Sequence, residues 1–148
     1  MNQLQKSFFD NLEEFRKINL AGMFPGLSQG DLCMMKTMYE HLPGEAPMRV
    51  SDIVEKLRIP PPAVSRSLKG MEQKGWILRR VDENDRRNTF VEFTAAGELL
   101  SSEIEIKMGD LADAVFAEIG EETFRQLNAY MQQLIEVTQC ELAKRKEK

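Results

Sequence analysis

Through the first twenty positions, Leu4, Phe8, Leu12, Phe15 and Ile18 recur at three- and four-residue steps, which predicts an amphipathic helix over 2–20. Gly22, Pro25 and Gly26 make Ala21–Leu27 a connection. Ser28 is a good N-cap and Asp31 suits the first turn of a second helix, which buries Leu32, Met35, Tyr39 and Leu42 on one face. Pro43, Gly44 and Pro47 end it. Ser51 and Asp52 begin a short third helix reaching Arg58, with Ile53, Val54 and Leu57 apolar. Pro60, Pro61 and Pro62 open a fourth, because a first turn has no use for those N–H groups, and Gly75 closes it. The period then changes from helical to alternating. Trp76–Val81 and Asn88–Phe93 read as two strands, with Ile77, Arg79 and Val81 on one face and Thr89, Val91 and Phe93 sharing another. The polar stretch Asp82–Arg87 joins them as a hairpin. Thr94 caps a fifth helix to about Ile119, Gly120 breaks it, and a sixth runs from Glu121 into a basic tail.

Short helix, tight turn, helix and basic hairpin, in that order, make a winged helix-turn-helix over 28–94. The expected fold is one domain over 1–148, mainly α with a small β-hairpin wing. Its flanks, 1–27 and 95–148, are the expected dimerisation helices. Phe124, Leu127, Met131, Leu134 and Val137 keep near-heptad spacing in the sixth helix, and the fifth adds Leu100, Ile104, Met108, Leu111, Val115 and Phe116. So much apolar surface around so small a module predicts a homodimer, whose two copies would read a pseudo-palindrome.

Composition narrows the chemistry. With 42% hydrophobic residues in 148, the chain has the means to bury a core. No stretch supplies the roughly 18 uncharged apolar residues of a membrane span. The N-terminal segment places acids and amides where a signal peptide needs an apolar run, so a cytoplasmic protein is expected. Two cysteines and one histidine do not furnish a structural zinc site, and no cofactor is expected. No Gly-Xaa-Ser-Xaa-Gly turn or phosphate-cradling glycine loop is present, which disfavours an enzyme. Cys140 and His41 read as incidental.

Charge sharpens the picture further. Between Lys56 and Val91 lie nine basic and four acidic residues, a net of +5, which leaves −9 on the rest of a chain whose total is −4. A basic segment on an acidic body suits a localised polyanion-binding face, and equally a solvated helix face with ordinary salt bridges. The fourth helix supports the former, projecting Arg66 and Lys69 three residues apart on an element that fits the major groove. Ser65 and Arg66 lie early enough to reach base edges, Lys69 and Lys74 are placed for phosphates, and the hairpin tip carries Arg86 and Arg87 toward a minor groove or a neighbouring phosphate.

Val64-Ser65-Arg66-Ser67-Leu68, Met71 through Ile77, Arg79-Arg80, Asp82 through Arg87 and Phe93-Thr94-Ala95-Ala96-Gly97, in this order and spacing, resemble the MarR transcriptional regulators. The resemblance runs from Leu27 to Gly97 and implies a homodimeric repressor of double-stranded DNA, released by a small phenolic or aromatic effector. Its wing pattern, Asp-Xaa-Arg-Asp-Xaa-Arg, is met by Asp82, Asp85 and Arg87, with Asn84 in place of the first arginine. Arg87 thus inherits the minor-groove role and Asp85 orients it. A second departure is the proline run, where relatives carry Ser or Thr. It shifts the helix tip toward apolar contact from Pro62 or Ala63 to a thymine methyl. Met34, Met35 and Met38, with Leu12, are the candidate effector contacts, though methionines at this spacing fill cores as readily. Cys33, in an apolar setting with Lys36 as its nearest base, is a weaker candidate for an oxidation-sensitive thiol. The rival reading is a winged-helix module whose basic hairpin meets an acidic protein partner.

Overall fold

The computed structural model describes residues 1–41, 47–83, 85 and 87–146; the expected end of the second helix at Leu42 and Pro43, and the wing residues Asn84 and Arg86, lie outside them. The chain divides into two compact units, Met1–Ile104 and Glu105–Lys148.

In the first unit, α1 (Gln3–Lys17) begins at a reciprocal cap in which Asn2 Oδ1 accepts from the Gln5 N–H and Gln5 Oε1 from the Asn2 N–H, both at 2.8 Å. The predicted helix stops earlier than its stripe, at Ile18, and a 3-10 turn (Leu20–Met23) occupies the expected connection. None of α1 is buried.

The core lies around α2 (Gln29–Tyr39), which packs on α3 (Val50–Leu57), α4 (Pro61–Gln73) and the 3-10 turn. A helix with neighbours on several sides buries more than one stripe. Leu32, Met34, Met35 and Met38 are all buried, whereas Tyr39, expected on the buried face, is 44% exposed. Ile53, Val64, Leu68 and Met71 complete this core. Asp52 starts α3 by accepting the Arg49 N–H at 3.1 Å, and the helix ends on Arg58 in the left-handed region (φ 52°). That residue makes the tight turn into α4.

Gly75 (φ 73°) turns the chain after α4, as a residue without Cβ can at little steric expense. It leads into β2 (Ile77–Val81), antiparallel to β3 (Thr89–Phe93) with Ile77 opposite Phe93 and Val81 opposite Thr89. A third strand, β1 (Met48–Arg49), pairs with the far side of β3 and gives the order β1-β3-β2. Two residues carry no alternation, so only the hairpin is visible in the sequence. Buried Ile77, Val91 and Met48 tie the sheet to the core.

Thr94 caps α5 (Ala95–Ile119): its Oγ1 accepts from the Gly97 N–H at 3.1 Å and donates to the Gly75 carbonyl at 2.6 Å. Here the corner is close-packed. A Cβ on Gly97 would stand 1.8 Å from the Trp76 carbonyl oxygen. In the second unit α5 ends at Gly120 and α6 (Glu121–Lys146) follows, with the Phe116 and Phe124 rings stacked 3.7 Å apart between centroids. No residue of α6 is buried. No helix among the described residues is long and apolar enough to cross a membrane.

Candidate nucleic-acid interface

Burial divides α4 into two faces. Val64, Leu68 and Met71 point into the core, while Pro61, Pro62, Ser65, Arg66 and Lys69 are exposed and Ala63 is half-buried. Helix N-termini ordinarily offer unpaired N–H groups to phosphates. This one offers none: Pro60, Pro61 and Pro62 lack the group, and the N–H groups of Ala63 and Val64 both donate to the Pro60 carbonyl, at 2.9 and 3.3 Å. Any grip on an anion at this tip must come from side chains.

The cations fall into two sets. Lys56, Arg58, Arg66 and Lys69 form no ion pair among the described residues. Four others are engaged within the fold. Arg79 Nε donates to Glu72 on α4 at 3.0 Å, a hydrogen bond that holds the Glu72 carboxyl below its usual value and joins the hairpin to the helix. Arg80 meets Glu92 across the hairpin at 3.4 Å. Arg87, 92% exposed at the wing tip, is held by Asp85, whose Oδ1 accepts from its Nε and its backbone N–H, each at 3.1 Å.

Lys74 is the fourth, and it is not placed as the sequence suggested. Instead of reaching outward for a phosphate, its ammonium donates to the Gly26 carbonyl at 2.8 Å and to buried Asp31 at 3.2 Å, and lies 4.5 Å over the Trp76 ring. The low exposure of Asp31 explains the pull, since a carboxylate out of water needs partners. Ser67 Oγ donates to it as well, at 3.0 Å. Neither link has a local sequence signal, because the residues stand 36 and 43 positions apart. Arg49, stacked 5.8 Å over the Phe90 ring, has no local signal either.

Burial pushes the Asp31 carboxyl up, but hydrogen bonds from Ser28, Lys74 and Ser67 outweigh it and hold the group below its ordinary 3.8. The stabilisation is therefore complete above that pH and disappears as acid protonates the folded carboxylate. We expect the stability gap between wild type and Asp31→Asn, measured by urea unfolding, to narrow from pH about 6 to pH about 3. A gap independent of pH would show that the charge on Asp31 contributes nothing.

The proposed effector residues are not gathered at one accessible place. Met34, Met35 and Met38 are 1%, 0% and 7% exposed in the core, whereas Leu12 on α1 is 39% exposed. Cys33 is exposed rather than set among apolar groups, as is Cys140. No cluster of metal-ligand residues occurs among the described residues.

Comparison with known proteins bears on this arrangement. The MarR family model matches residues 43–89. An uncharacterized HTH-type transcriptional regulator of Bacillus subtilis (strain 168), YwoH, is 33% identical over 76 residues, 51% of this chain, and the chain spans only 55% of that relative's length. Among solved structures, the S. aureus MepR–DNA complex superposes with a TM-score of 0.73 at 19% identity, covering 93% of this chain and 98% of that one. Streptococcus pneumoniae FabT in complex with DNA gives 0.67 at 23% identity, with 93% and 94% covered. At such identities the superpositions speak for the fold, and the segment matched by the family model contains α3, α4 and β2 and ends at the first residue of β3. The winged helix-turn-helix segment of this chain is similar to the MarR family.

Proposed function

We propose that this protein is a sequence-specific DNA-binding transcriptional regulator, a homodimeric repressor of a pseudo-palindromic operator, rather than an enzyme. One observation carries the reading. On a chain of net charge −4, the exposed face of α4 presents Ser65, Arg66 and Lys69 with both cations unpaired among the described residues, beside a wing tip where Asp85 holds Arg87 outward. Arg66 suits a guanine edge, Pro62 and Ala63 suit a thymine methyl, and Lys69, Arg86 and Arg87 suit phosphates or a minor groove. The MepR and FabT structures described above as DNA complexes support the same reading.

Dimerisation is supported by apolar surface without cover. Leu4, Phe9 and Phe15 on α1 are each more than half exposed, as are Tyr130, Val137 and Leu142 on α6. A second copy of the chain is the occupant we propose for these faces. Release by a small phenolic or aromatic effector belongs to the same proposal, with Leu12 as the side chain within reach. The buried Met34, Met35 and Met38 become available only if the core opens.

The test is selection of bound duplexes from a random pool by the purified protein, followed by titration in salt. The expected result is one enriched pseudo-palindrome, bound by a two-chain species, whose affinity falls by about a thousandfold between 50 and 200 mM salt if six phosphates are engaged. Binding with a shallow salt slope and no preferred sequence would favour an acidic protein as the partner of the hairpin.

A further inference from the structure

We propose that Asp31 is the positioning residue of the recognition helix α4, an inference that rests on the DNA-reading function above. Its carboxylate holds that helix at two points. Oδ1 accepts from Ser67 Oγ at 3.0 Å, and Oδ2 accepts from Lys74 Nζ at 3.2 Å. These two partners are seven positions apart, two turns along one face of the helix. Buried Val64, Leu68 and Met71 seat the helix, and two polar attachments on one face add a directional restraint on its rotation about its own axis and its slide along α2.

Helical geometry then states what the clamp aims. At about 100° per residue, Ser65 and Lys69 each lie within about 20° of the line diametrically opposite Ser67, and Arg66 lies about 100° away from it. Ser65 and Lys69 thus stand opposite the gripped face, with Arg66 on its flank. A small rotation at Asp31 is therefore carried directly to the side chains that meet base edges.

The anchor is itself fixed. Asp31 is 5% exposed and closes the cap of α2, accepting from the Ser28 N–H at 3.2 Å while its own N–H donates to Ser28 Oγ at 3.1 Å. The carboxylate cannot move without opening that helix end. The Lys74 ammonium is held in turn by the Gly26 carbonyl and the Trp76 ring. In such a network each hydrogen bond restrains the geometry of the others.

The experiment compares wild type with Asp31→Asn, Lys74→Met and Ser67→Ala on two probes: the duplex enriched by wild type from a random pool, and a shuffled duplex of the same composition. Each titration is made well below the melting temperature of that variant, and Ser67→Ala, which removes one hydroxyl, serves if Asp31→Asn does not fold. We expect the ratio of the two affinities to fall about tenfold in Asp31→Asn and Lys74→Met and by a smaller factor in Ser67→Ala, the size of one misaimed base contact. Affinity for the shuffled duplex, and its salt slope, should stay at wild-type values. Equal weakening on both duplexes with a shallower slope in Lys74→Met would make Lys74 a phosphate ligand and overturn the proposal. An unchanged ratio with a lowered melting temperature would reduce Asp31 to a stabilising residue and overturn it too. A wild-type protein that prefers no duplex refutes the DNA reading itself, and this inference falls with it.

Discussion

A Gly97→Ala protein is expected to melt about 10 °C below wild type, whereas Gly109→Ala on the same helix should melt at or slightly above it. Glycine is a poor helix residue, and replacing it by alanine in an open helix stabilises by about 1 kcal/mol. Gly109 has nothing within 4 Å of the added methyl, so it should follow that rule. At Gly97 the methyl would stand 1.8 Å from the Trp76 carbonyl oxygen and 2.9 Å from its carbon. Backbone is the obstacle there, not the end of a flexible side chain. Either the start of α5 lifts off the corner between α4 and β2, or that corner moves. Lifting α5 also strains the Thr94 hydroxyl bond to Gly75 and the bond from the Thr94 N–H to the Trp76 carbonyl. Overpacking of this kind costs about 3 kcal/mol, and in a chain of this length that corresponds to the stated drop. Calorimetry on the two variants checks it. A Gly97→Ala protein as stable as Gly109→Ala would show that α5 does not seat against Trp76.

Arg66→Ala is expected to weaken binding to the selected duplex by ten- to a hundredfold and to relax the base preference at one position of each half-site. The melting temperature should not change, because Arg66 is exposed and makes no ion pair among the described residues. That separation of affinity from stability is what distinguishes a reading residue from a packing one. Lys69→Ala, one turn further along, should weaken all duplexes alike and lower the salt slope by about one for each phosphate that Lys69 neutralises. Titration of both variants against the selected duplex and its single-base substitutions decides the matter. Full affinity and full selectivity in Arg66→Ala would remove the major-groove assignment of α4.

The elements that can be read directly from the chain are those whose signals are local. Caps at Ser28 and Thr94, the proline start of α4, the Gly75 turn and the period-two alternation of Ile77 with Leu78 each depend on neighbours a few positions away, and each stands in the structure. Strand β1 is not legible, because two residues cannot display a period and its pairing with β3 is made some forty residues later. The stripe of α1 overstates its length, since the apolar step continues through Ile18 while the backbone departs from the helix there. Arg66, Lys69 and the wing arginines can be nominated as exposed cations from spacing alone. What spacing cannot show is which cations are already engaged. Lys74 looks like Lys69 in sequence, yet one makes no ion pair among the described residues and the other closes on Asp31 of α2. Tyr39 misleads for a related reason, since a stripe predicts one buried side and α2 is enclosed from several.

Three successive pyrrolidine rings at 60–62 have one further effect. Each fixes φ near −65°, and Pro60, at φ −58° and ψ 137°, already holds the conformation that starts the helix. Under the proposed DNA-reading function, the leading turn of α4 has little disorder to surrender when a duplex arrives. A segment stiff beforehand forfeits less entropy on association and tolerates fewer alternative fits, so a poorly matched groove is met by a tip that cannot bend to suit it.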